Sequence, residues 1–108
     1  MAWIYLIMAG LFEIGWPVGL KLSQTPGRFL PGLVIAVACM GASGGLLWLA
    51  QKTIPIGTAY AVWTGIGAVG TFAVGILFHG DSTSALRLVS AGLIVTGIVG
   101  LKLAHGSG

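Results

Sequence analysis

The sequence predicts an all-α integral membrane protein of four transmembrane helices, and three observations point to it. Only 6% of the 108 residues are charged, against roughly a quarter in an ordinary soluble domain. Hydrophobic residues make up 56%, and there are 19 glycines as well, more apolar surface than a chain this short can withdraw into one core. The apolar residues also fall into four long runs, each close to the roughly 20 residues that cross a bilayer as a helix. Lipid is therefore the solvent for most side chains.

The first run, from Met1 to Leu20, is interrupted only by Glu13 and predicts a helix over about 2–21. Phe29 to Gln51 carries no charge, which predicts a second helix over 31–51. The third run, Thr53 to Phe78, is longer than a span needs, so its helix is expected to begin after the Pro55-Ile56-Gly57 break, over 57–78. The fourth has 14 uncharged residues between Arg87 and Lys102. It spans, over 84–103, once Leu86 and Leu103 join it and both cations reach out to the interfaces.

The connections carry turn chemistry: Gln24-Thr25-Pro26-Gly27, Pro55 with Gly57, and Gly80-Asp81. One domain over 1–108 is expected, with a tail, His105-Gly106-Ser107-Gly108, too short and small to fold. The first run contains an acid and lacks a preceding cationic region, so it is expected to stay in the mature protein and not act as a cleaved signal.

Composition also excludes functions. The net charge of +3 reflects a scarcity of acids, because Lys21, Arg28, Lys52, Arg87 and Lys102 are scattered singly. No basic patch suits a nucleic acid. Cys39 is alone, which rules out an intrachain disulfide, and it reads as a small buried hydrophobe; no spacing suits a metal. His79 and His105 lie at a loop and a tail with no nucleophile beside them, so an enzyme and a bound cofactor are not expected.

The positive charges bear on orientation. Four spans put Lys21, Arg28 and Arg87 on one side, and Lys52, Lys102 and the terminal amine on the other. Such a balance gives the insertion machinery little to choose between. It predicts chains inserted both ways, two of which can pair as an antiparallel, dual-topology homodimer, an inverted repeat made without gene duplication.

Of the two acids, Asp81 reads as a solvated turn residue. Glu13 does not, because an ionised acid near mid-span is costly and such residues are functional by default. Neutralised by either a proton or a cation, it can exchange one for the other; the alternative is a protonated carboxyl that merely ties helices together. Gly10, Trp16 and Pro17 share its helix face. Pro17 lacks the N–H that would bond the Glu13 carbonyl, leaving a kink or an extra acceptor there.

In the third span Tyr60, Trp63, Thr64 and Gly67 form one stripe, bringing a phenol, an indole and a hydroxyl to one surface. An indole face near a carboxylate can hold a cation. Trp3, Tyr5 and Trp48 read as interfacial anchors. Ser43, halfway along the second span, can donate to a carboxylate or pack with Gly41, Gly44 and Gly45. Gly65, Gly67 and Gly70 match a dinucleotide-binding spacing but lie inside a span, so they read as points of bending or close approach. Gly92, Thr96 and Gly100 recur every fourth residue, a stripe suited to helix pairing and so to a dimer contact.

The stretches EIGWPVGLK from Glu13, PIGTAYAVWTGIG from Pro55 and GIVGLK from Gly97 resemble the small multidrug resistance family over essentially the whole length. The resemblance implies a proton-coupled cation exporter working as an antiparallel dimer in the bacterial inner membrane. Tryptophan three residues after the glutamate, with the PIGTAYAVWTGIG wording, is similar to the guanidinium-exporter branch. It implies Glu13 as the carboxylate shared by proton and substrate, Trp16 and Ser43 as its hydrogen-bond donors, and Tyr60 and Trp63 as walls or gates. Pro17 and the Gly-rich Met40 to Gly45 patch depart from the branch pattern. The competing readings are a broader exporter of quaternary ammonium or substituted guanidinium ions, one half of a heterodimer, and an accessory membrane subunit.

Overall fold

The computed structural model describes the backbone of residues 1–107 and the side chains of residues 1–104. Four helices, α1 (Ala2–Ser23), α2 (Phe29–Ala50), α3 (Ile56–His79) and α4 (Ala85–Ser107), are connected by short loops. Each is long and apolar enough to cross a membrane. Most large apolar side chains point outward, among them Leu11, Phe29, Val37, Leu77 and Leu93, as lipid-facing helices require.

Local chemistry sets the boundaries. Pro55 stands at the position preceding α3, where its missing N–H costs nothing. Gly80 ends α3 in the left-handed conformation, φ 70°, and its N–H and that of Asp81 both donate to the Gly75 carbonyl. Ser84 starts α4, its hydroxyl accepting from the Arg87 N–H at 3.4 Å. One expectation fails: α4 continues to Ser107 and not 103, so the tail backbone is helical through Ser107. Nothing helix-breaking follows Lys102 until Gly106, and one glycine weakens a helix without ending it. The side chain of His105, and Gly108 altogether, lie outside the described residues.

The helices form an open layer, with overall dimensions of 50 × 34 × 16 Å. α1 lies between α2 and α3, α2 meets α3 only sparsely, and α4 packs on α3. Lipid tails are as apolar as leucine, so helices associate here through close van der Waals fit, not escape from water. Small residues provide it. A Cβ on Gly19 would stand 2.7 Å from the Ala36 nitrogen and 2.8 Å from the Gly32 oxygen of α2. One turn earlier, Gly15 receives the Cys39 sulfur, so this half-buried thiol fills an interhelical notch.

At the opposite end of α1, Leu6, Ala50, Ile54, Ala59 and Val62 form the buried apolar cluster. Cations sit on aromatic rings at the helix ends: Lys52 Nζ 4.4 Å from the Trp48 centroid, Lys102 Nζ 4.9 Å from that of Trp3, and Arg87 Cζ 4.7 Å from that of Phe72. Arg87 and Lys102 thus bound the apolar stretch of α4.

Candidate functional site

Glu13 is half-buried on α1 and faces α3. The opposing α3 residue is Gly67, where a Cβ would overlap the Glu13 Cγ. The absence of a side chain there is what lets the acid lie between the helices. Three residues along α1, the Trp16 indole Nε1 donates to Glu13 Oε1 at 2.5 Å. The i to i+3 spacing places donor and acceptor on one face of α1. Beside them lies a cavity of about 410 Å³, lined by Glu13, Pro17, Thr64, Thr71, Phe72 and Asp81 among others.

Ser43 does not bond Glu13 in this structure, contrary to expectation. Its hydroxyl donates to the Ala9 carbonyl of α1 at 2.7 Å and accepts from Trp63 Nε1 of α3, also at 2.7 Å. A serine has one proton to give, and the Ala9 carbonyl, four residues before Glu13, takes it. Trp63, Ser43 and Ala9 therefore link three helices through one buried hydroxyl. Gly41, Gly44 and Gly45 have no atom within 4 Å of a would-be Cβ, so they do not pack within the chain.

Tyr60 is exposed, its ring centroid 5.4 Å from that of Trp63 at an interplanar angle of 53°. The two aromatics form a tilted pair whose indole end is pinned by Ser43. Pro17 lies within α1 without ending it and lines the cavity. It leaves the Glu13 carbonyl without its helical N–H.

α3 runs unbroken through Gly65, Gly67 and Gly70. Each of these glycines allows a close approach. Gly65 meets Ile98 of α4, with a would-be Cβ 2.7 Å from its Cδ1, while Gly67 meets Glu13 and Gly70 meets Ile14. Gly92 and Gly100 of α4 face open space, and Thr96 turns its hydroxyl back to the Gly92 carbonyl at 2.8 Å. All three residues of that stripe are exposed.

Sequence reasoning missed Thr71, Phe72 and the position of Asp81. Thr71 and Phe72 continue the face of Thr64 and Gly67 by one turn, so extending that stripe would have found them. Asp81 carried no such signal. It reaches the cavity only because the Gly80 turn folds the loop back over the last turn of α3.

Comparisons with known proteins agree with this architecture. The profile of the family described as Small Multidrug Resistance protein matches residues 1–94. A protein named guanidinium exporter from Yersinia pseudotuberculosis serotype I (strain IP32953) is 56% identical over 104 residues, covering 96% of this chain and 99% of its own length. One of the same name from Salmonella typhimurium (strain LT2) is 54% identical over 103 residues, covering 95% and 97%. Another, from Citrobacter freundii, is 53% identical over 103 residues, with the same coverage. With the family profile spanning most of the chain and relatives this similar over nearly its full length, the chain belongs to the small multidrug resistance family.

Proposed function

We propose that this protein exports guanidinium and related guanidinyl cations in exchange for protons, the two competing for the Glu13 carboxylates of both copies in a dimer. The observation that carries the reading is Glu13 itself. It is the one acid within the four spans, it is hydrogen-bonded by Trp16, and it borders a cavity in a chain more than half identical to proteins named guanidinium exporters.

The chemistry suits the substrate. Guanidinium is planar, and two of its parallel N–H groups match a carboxylate in a bidentate fork. The Trp16 indole holds Oε1 in a fixed direction, leaving Oε2 and the cavity side open to the ligand. Trp63, anchored by Ser43, and Tyr60 lie on α3 before the residues that line the cavity, and their π faces can attract a cation there. Because protons and the cation need the same pair of Glu13 carboxylates, two protons against one cation, occupation by one opposes occupation by the other and each exchange moves net charge. With the open face exchanging only when the carboxylates are neutralised, that competition couples the two fluxes as antiport.

The working unit is a homodimer of oppositely inserted copies in the bacterial inner membrane. The evenly balanced positive charges and the uncovered Gly92, Thr96 and Gly100 stripe support this. Gly65, Gly67 and Gly70, with Pro17, lie where the helices around Glu13 would bend or slide as the open face exchanges.

The test is guanidinium-driven current in proteoliposomes for the wild type and Glu13→Gln. The expected result is current with guanidinium in the wild type and none in the variant, with assembly unchanged. Wild-type current carried only by a bulky quaternary ammonium ion would replace guanidinium with a broader substrate class. Undiminished guanidinium current in the variant would overturn the role of Glu13.

A further inference from the structure

The space beside Glu13 extends beyond it. A second cavity, of about 350 Å³, shares Pro17, Thr71 and Asp81 with the first and is lined farther out by Lys21 and His79. On α1 the wall is the i, i+4, i+8 row Glu13, Pro17, Lys21, and on α3 it runs through Thr71 and Gly75. Eight residues separate Glu13 from Lys21, roughly 12 Å of depth at 1.5 Å per residue. The two cavities form one cleft between α1 and α3 that joins Glu13 to the α3–α4 loop.

Three features of the cleft have no part in the exchange at Glu13. Asp81 is held in position: its N–H donates to the Gly75 carbonyl at 3.1 Å, Gly80 before it takes φ 70°, and its carboxylate Oδ2 occupies the space where Gly75 would carry a Cβ. Thr71 lines both cavities, and its Oγ1 is buried without a hydrogen-bond partner. Lys21 brings a positive charge to the outer cavity, where Asp81 is the one acid among the lining residues. Without Asp81 the mouth would carry positive formal charge alone and would repel a cation.

We propose that Asp81 is a second cation station, at the mouth of this cleft, which holds an N–H-bearing organic cation between water and Glu13, with the Thr71 hydroxyl as an acceptor along the way. The inference rests on the export reading given above. A carboxylate at a mouth enriches cations locally and speeds their entry. A planar cation with several donors can keep one pair of N–H groups on Asp81 while offering another to Thr71. The Asp81 charge also offsets Lys21, so the ligand meets a neutral entrance instead of a positive one.

The experiment is guanidinium transport by the reconstituted full chain as wild type, Asp81→Asn, Asp81→Glu and Glu13→Gln, at low and at raised salt. Asp81→Asn is expected to raise the guanidinium KM by about three- to tenfold with little change in maximal rate, as loss of a steering charge does. Asp81→Glu should restore KM. The gap between wild type and Asp81→Asn should close at raised salt, because screening weakens both the Asp81 attraction and the Lys21 repulsion. An unchanged KM, a fall in maximal rate alone, or a salt-independent gap would each overturn the station while leaving Glu13 as the exchange site. No guanidinium transport by the wild type would remove the export reading, and this inference with it.

Discussion

Gly67 of α3 lies directly against the Glu13 side chain of α1, so close that a single added methyl group would overlap the Glu13 Cγ. The acid is held between helices because its neighbour has no side chain, and Gly67 cannot gain one without displacing the acid.

Gly67→Ala should therefore impair transport more than folding. Overpacking of this kind costs about 1–3 kcal/mol, which a four-helix chain in lipid can absorb, while the carboxylate is pushed from its position. Guanidinium current and detergent gel filtration on the same preparation would check this: the expected outcome is a lost or much reduced current with an unchanged elution profile.

Trp16→Phe keeps a ring beside Glu13 but removes the indole N–H that donates to Oε1. A hydrogen bond to a charged group contributes about 1.5–3 kcal/mol, so guanidinium affinity should weaken by roughly tenfold or more. Current measured across a range of guanidinium concentrations gives the KM directly. An unchanged KM would show that the indole bond does not help position the carboxylate.

Ser43→Ala leaves the part-buried Trp63 N–H without its acceptor, while the Ala9 carbonyl keeps its helical Glu13 N–H and loses only a second donor. Stranding a buried donor costs about 1–3 kcal/mol. The variant should melt at a lower temperature, and Trp63→Phe added to it should cost less than Trp63→Phe alone, because the partner is already gone. Thermal unfolding of the four members of this cycle provides the coupling.

On α4, a Cβ added at Gly92 would have open space around it, so Gly92→Leu is a substitution the single chain can accommodate. Helix formation and membrane insertion should be unaffected, whereas self-association should fall. Cross-linking in native membranes measures it, with Gly41→Leu on α2, which is equally open within the chain, as the comparison. Equal cross-linking of Gly92→Leu and wild type would remove the stripe from the dimer contact.

The four spans were legible because lipid makes composition decisive: an uninterrupted apolar run of this length has few other folds. Glu13 stood out for the same reason, since an acid is costly inside such a run. The end of α4 was misread, because two glycines and a serine looked like a stop where a helix already under way continues to Ser107. The Ser43 hydroxyl was assigned by residue type, and type does not say which of two acceptors lies nearer. Asp81 was hidden more deeply. Its role as a cleft wall depends on a loop folding back on α3, and no helical periodicity records that.

The buried apolar cluster around Leu6 and Ile54 and the cleft running from Glu13 to Asp81 occupy opposite ends of the chain. One end is filled and the other hollow. Set two such chains head to tail, and each surface of the bilayer receives one stopper and one vestibule from identical polypeptides. The two surfaces would then be equivalent, the proton gradient alone would set the direction of export, and an exchange of conformations between the two copies would swap which vestibule stands open.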